Sequence, residues 1–90
     1  MEHPQVLRVV VLSEDGRLFA QCLEHDIVTS ADDLDALRLN FLTVLGMEAE
    51  LGLARIPAAP AEFEALWQSA QPAGPPERMN AHEIDYRQAA

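Results

Sequence analysis

The sequence predicts an α+β fold: a three-stranded antiparallel meander packed by one long helix (β-β-β-α), followed by a short second helix and a candidate edge strand. Three observations predict it. A β-branched run, Val6 to Leu12, opens the chain; an Asp15-Gly16 reversal leads into an alternating stretch; and apolar residues recur at helical spacing from Leu34 onward. Ninety residues make one domain, and 49% hydrophobic with 23% charged residues is a globular composition rather than a disordered one.

Val6-Leu7-Arg8-Val9-Val10-Val11-Leu12 is apolar on both faces except at Arg8, so it reads as a strand covered twice. Asp15-Gly16 supplies the positive-φ positions of a tight hairpin. From Arg17 to Leu23 the faces alternate: Leu18, Ala20 and Cys22 on one side, Arg17, Phe19, Gln21 and Leu23 on the other. Glu24-His25-Asp26 is a polar break, and Ile27-Val28-Thr29 is a third short strand.

The long helix is expected to start at Ser30 as N-cap, with Asp33 in the capping-box position, and to run to about Leu53. Asp32, Asp33 and Asp35 crowd its first turn, where the helix dipole favours negative charge. On the helical wheel Leu34, Leu37, Phe41, Val44, Leu45 and Leu51 form a broad stripe suited to a sheet face. Leu39, Leu42, Ala49 and Leu53, with Gly46 among them, form a second and narrower stripe. A three-stranded sheet cannot bury both, so Leu39, Leu42, Gly46, Ala49 and Leu53 are the candidate oligomer interface, most simply that of a two-fold dimer. The alternative is cover by the C-terminal helix of the same chain.

Pro57-Ala58-Ala59-Pro60 breaks the chain, with Pro60 able to open a second helix carrying Phe63, Leu66, Trp67 and Ala70. Residues 1–70 thus read as the β-β-β-α domain with its short second helix. Residues 71–90 read as a Pro-rich linker and tail, in which His82, Ile84 and Tyr86 alternate with Glu83, Asp85 and Arg87 as an added strand would.

Net charge is −9, from six arginines and fifteen acids, which opposes phosphate-mediated binding of nucleic acid. No apolar run approaches the length of a membrane span, no basic-apolar leader opens the chain, and a lone Cys22 builds no disulfide framework. A cytoplasmic location is the expectation. Cys22, Glu24, His25 and Asp26 form the densest reactive group, readable as a metal site or a Cys–His pair, or as a buried small cysteine beside a solvated turn. His3 and His82 read as surface residues. The stretch from Leu18 to Leu37 holds five acids and no arginine, and could steer a basic partner. Phe63 and Trp67 could anchor a partner or pack a small core. Glu24, His25, Asp26, Phe63 and Trp67 are therefore the candidate partner surface. There is no phosphate-binding glycine loop, serine elbow or convincing carboxylate pair, so a non-enzyme without cofactor or metal is expected.

Ser13-Glu14-Asp15-Gly16-Arg17, then Ala20-Gln21-Cys22-Leu23-Glu24, then Asp32-Asp33-Leu34-Asp35-Ala36-Leu37 resembles the HicB-like antitoxin family over roughly the first fifty-five residues. The resemblance implies a small β-β-β-α unit, related in shape to a partial ribonuclease H or double-stranded-RNA-binding module, that forms dimers or tetramers. Antitoxin members bind and block a small ribonuclease toxin, and many add a C-terminal DNA-binding region. Here Glu24-His25-Asp26-Ile27 stands where the family commonly has a Pro-Gly corner. Nothing after Leu53 looks like a DNA-binding domain, so the chain looks closer to stand-alone relatives. The expected function is a non-catalytic, oligomeric protein-interaction domain that binds a small protein. The alternatives are a nucleic-acid-binding module, or a small metal-binding or enzymatic protein using the Cys22–His25 region.

Overall fold

A computed structural model describes residues 4–89. The Val-rich opening run becomes β1, Gln5–Glu14, and it is the middle of the sheet. On one side it pairs antiparallel with β2, Arg17–Cys22. Glu14 and Arg17 close that hairpin, and Asp15 and Gly16 both take positive φ, at 51° and 77°. β3, Val28–Ala31, follows as an antiparallel edge strand. The meander is thus present, with its third strand starting and ending later than the Ile27–Thr29 run.

Ser30 is consequently a strand residue opposite Phe19, not a helix cap. The cap is Asp33, extended at φ −140° and ψ 167°, whose side chain accepts from the Ala36 N–H at 2.8 Å. Strand pairing holds the chain through Ala31, which is buried beneath the helix, so capping falls to the next acid with free geometry. Helix α1 runs Leu34–Leu51 and ends at Gly52, with φ 96°; a 3-10 turn, Leu53–Arg55, follows.

The main departure lies in the C-terminal segment. Helix α2, Glu62–Ser69, packs on the sheet and not on α1. After it come β4, Gln71–Pro72, β5, Glu77–Met79, and β6, His82–Gln88. β6 lies parallel to β1, in register from Gln5↔His82 to Val11↔Gln88. β4 and β5 both line the far edge of β6. The sheet is therefore mixed and six-stranded, in the order β3-β2-β1-β6-β4 with β5 also on β6. The expected meander is one half of it, and the added strand is interior, not an edge. A parallel neighbour needs a long crossover, which α1 and α2 supply. The gain is that β1, apolar on both faces, is paired along both edges.

The result is three layers. α1 covers one face, over Leu7, Val9, Val11, Ala20, Cys22, Ile84 and Tyr86. α2 covers part of the other, with Trp67 on Val10 and Leu23, and with Leu12, Phe63, Leu66 and Ala89 around them. The accessible surface is 5483 Å², close to the roughly 5,200 Å² of ordinary monomers of this mass. The sheet-facing core is closed within the chain, while Leu39, Met47 and Leu51 of α1 stay exposed.

Candidate functional site

Two regions gather the residues singled out from the sequence. The first is the corner after β2. The Cys22 N–H donates to the Ile27 carbonyl at 3.0 Å and the Ile27 N–H to the His25 carbonyl at 2.7 Å, which folds residues 22–27 into a tight loop. The Pro57–Pro60 stretch is sewn to it: Asp26 N–H donates to Pro57 O at 2.7 Å, and Ala59 N–H to Leu23 O at 2.9 Å. The His25 Nδ1 stands 3.0 Å from the Ile56 carbonyl. Asp26 accepts from the Gln21 amide at 3.0 Å.

Arg8 organises the cleft beside this corner. It is the one charged residue of the opening run and faces the α2 side. Glu24 accepts from both its backbone N–H, at 2.7 Å, and its Nε, at 2.6 Å. Glu64 of α2 accepts from its Nη1 at 2.6 Å. These carboxylates, Glu64 first, hold the Arg8 guanidinium above its usual pKa against the opposing effect of burial. The guanidinium also lies 5.9 Å from the Trp67 ring centre, while Arg87 sits 4.2 Å from it. The cleft is about 420 Å³, with Leu23 and Ala58–Ala61 as its apolar wall.

Of the candidate partner surface, Glu24 and His25 line this cleft, where Glu64 of α2 joins them, and Asp26 is exposed on the same corner outside it. Phe63 and Trp67 do not present themselves to a partner. Trp67 is buried and Phe63 packs beside it on the sheet, which is the packing alternative.

Cys22 points the other way, fully buried under α1. Burial pushes its thiol up to about 11, so it stays protonated near neutrality and is a poor nucleophile or ligand. Among the described residues no group of three or more His, Cys, Asp or Glu side chains is placed to hold a metal ion. His82 is half-buried at the start of β6, and His3 lies outside the described residues.

The second region is the outward side of α1. The candidate interface divides there. Leu42 and Leu53 are partly buried against the core, together with Met79 of β5. Gly46 faces that strap as well: a β-carbon on it would lie 3.9 Å from the Met79 sulfur. The strap is held by Arg38, which donates to the Ala73 carbonyl at 3.3 Å and the Pro75 carbonyl at 2.6 Å, pairs with Glu77 at 3.4 Å, and lies 4.6 Å from the Tyr86 ring centre. Beyond the strap the helix is open. Leu39, Met47 and Leu51 are 65%, 60% and 70% exposed. Leu51, assigned to the core stripe by periodicity, is instead outside, because the sheet meets α1 through Leu37, Phe41 and Leu45. A shallow groove of about 490 Å³ runs alongside, with Gly46 and Ala49 in its lining and Asn80 at its rim.

Met47 belonged to neither stripe read from the sequence, and Leu51 was placed in the core-facing one. The signal was there at four-residue spacing, but its partition into covered and open faces depends on where the sheet and strap fall. No helix among the described residues is long and apolar enough to cross a membrane. Comparison with known proteins finds no family model, curated protein or solved structure that matches this chain.

Proposed function

We propose that this chain is a non-catalytic protein-interaction domain, similar in its β-β-β-α order to the HicB-like antitoxins, whose contact surface is the outward side of α1. One observation carries the reading: three large apolar side chains, Leu39, Met47 and Leu51, stand exposed on one helix beside a groove, in a chain whose core is otherwise closed. Exposed apolar groups gathered in one place mark contact surfaces, whereas scattered ones do not. Burial of the Cys22 thiol removes the best nucleophile candidate and supports a binding role over a catalytic one. The acidic balance suits a basic partner such as a small ribonuclease toxin, and opposes nucleic acid.

Affinity capture from the native cell, coupled to a measurement of native mass, tests this. The expected outcome is a mass above that of the monomer, or a stoichiometric complex with a small protein, lost in Leu39→Glu. A bare monomer that captures nothing would refute it.

A further inference from the structure

We infer that the free edge of β3 takes up an extended, basic segment of another protein as an added strand. The inference rests on the reading of this chain as an interaction domain, and it adds a second surface and the kind of partner that fits it.

β3 is the outer strand of the sheet, with β2 on its inner side. Its register decides which backbone groups face out. The Cys22 N–H donates to the Ile27 carbonyl, so that pair is hydrogen-bonded between the two strands. Bonded and non-bonded pairs alternate along an antiparallel ladder. Ala20↔Thr29 and Leu18↔Ala31 are therefore bonded pairs, whereas Val28 and Ser30, opposite Gln21 and Phe19, turn their N–H and C=O groups away from β2. The Asn40 side chain agrees with this direction: its amide donates to the Ser30 carbonyl from α1, at 3.0 Å. The Val28 N–H, the Val28 carbonyl and the Ser30 N–H have no protein partner among the described residues. Such a row is a template for one further strand.

The two edges of the sheet differ. On the far side Pro72 lies in β4, with Pro75 and Pro76 between β4 and β5, and proline has no N–H to offer. Residues 28–31 contain neither proline nor lysine, and Val28 is 55% exposed. The Asn40 bond turns one side of α1 toward this edge, and Val44 and Met47, four and seven residues on, lie along that same side. Side chains of an added strand thus have Val28 to pack against on one face of the sheet and the Val44–Met47 side of α1 on the other.

Charge selects the occupant. Asp26 stands exposed just before β3, and Asp32, Asp33 and Asp35 stand exposed just after it. Arg17 offsets only Asp32, to which it is paired at 2.9 Å. A second copy of this chain is disfavoured at this edge. Antiparallel pairing of two β3 edges sets Asp26 of one against Asp32 and Asp33 of the other, and parallel pairing sets Asp26 against Asp26. A segment with Lys or Arg on either side of a short β-branched run meets attraction at both ends, while its backbone completes the ladder.

The test is a fluorescein-labelled peptide, Lys-Lys-Val-Thr-Val-Thr-Lys-Lys, titrated into the full chain and read by anisotropy, beside an acidic twin with Glu in place of Lys. The basic peptide is expected to bind, with an affinity that falls as salt rises, and the acidic twin is not. Amide exchange at Val28 and Ser30 is expected to slow on binding. Val28→Pro removes an outward N–H that β2 does not use, so it should keep the circular dichroism of the parent and weaken the peptide about tenfold. Asp26→Lys combined with Asp35→Lys should weaken the basic peptide and admit the acidic one. If Val28→Pro fails to fold, this pair and the exchange data decide.

No binding of the basic peptide, equal binding of the two peptides, or unchanged exchange at Val28 and Ser30 would overturn the inference. So would a folded Val28→Pro chain that binds as the parent does, or a dimer that Val28→Pro abolishes. Leu39→Glu should leave peptide affinity unchanged. Failure of the peptide with Leu39-dependent capture intact removes the β3 edge and spares the α1 surface. Binding at β3 with no capture lost in Leu39→Glu does the reverse.

Discussion

Helix α1 carries two ridges of four-residue spacing, and they meet opposite fates. Leu37, Phe41 and Leu45 are fully buried on the sheet, whereas Leu39, Thr43, Met47 and Leu51 face water. The residue types differ little. What separates them is rotation about the helix axis relative to β1, β2 and β6. An apolar period shows that a helix has a face to bury, and it does not say which of two faces the fold reaches.

The boundary between the ridges is set by a side chain. Arg38 sits beside the buried ridge and pins the strap from Ala73 to Glu77 through two carbonyls and a carboxylate. That strap leads into β5, whose Met79 covers the Leu42 and Gly46 side of the helix. Gly74 is required there: it takes φ 95°, and a β-carbon on it would collide with Arg38 Nη1.

The largest effect expected from breaking this contrast is Phe41→Ala. Phe41 is fully buried and meets Tyr86 edge-on at 6.2 Å, so truncation should cost about 3–5 kcal/mol in denaturant unfolding. A loss near zero would mean that the buried ridge is not the core.

Alkaline titration probes the layer beneath that ridge. Burial raises the Cys22 thiol from its ordinary 9.0 to about 11 in the folded chain. The stability linked to it is therefore fully present below pH 9 and is lost as pH rises toward 11, by about 2 kcal/mol. Burial, followed by the nearby Glu77, raises the Tyr86 hydroxyl as well, adding to the loss above pH 10. Unfolding measured from pH 8 to 11 should show a shallower decline in Cys22→Ala than in the parent. Equal slopes would place the thiol in water.

Gly74→Ala tests the boundary. It should cost about 1–3 kcal/mol from the backbone and the displaced Arg38. It should also speed hydrogen exchange in β5 ahead of α1. Uniform exchange would show that the strap is not held separately.

Leu39→Ala should have the smallest effect on the single chain, within about 0.5 kcal/mol. Its consequence should appear in partner capture instead. A loss as large as that of Phe41→Ala would erase the difference between the ridges.

How far the sequence could be read follows the range of each interaction. Asp15-Gly16 announced the hairpin because two adjacent positive-φ positions are a local requirement. The alternation from Leu18 to Leu23 told its two faces correctly, since a strand's period is intrinsic to the backbone. The helix start was misplaced at Ser30, because pairing with Phe19 outweighs a local capping preference. The corner at Glu24 was visible as a polar break. Arg8, which Glu24 holds, is also bound by Glu64, 56 residues away, and no local pattern joins those two.

By itself, then, the sequence determined the local units: the opening strands, the reversal, the long helix, the short second helix and the alternation near the C-terminus. Each depends on neighbours a few residues apart. Only the tertiary structure decided that β6 runs parallel to β1 inside the sheet, that α2 covers the opposite face, and that the open ridge of α1 is Leu39 to Leu51. Those outcomes depend on which edges and faces remain unpaired once the chain has closed, and that is a property of the whole packing.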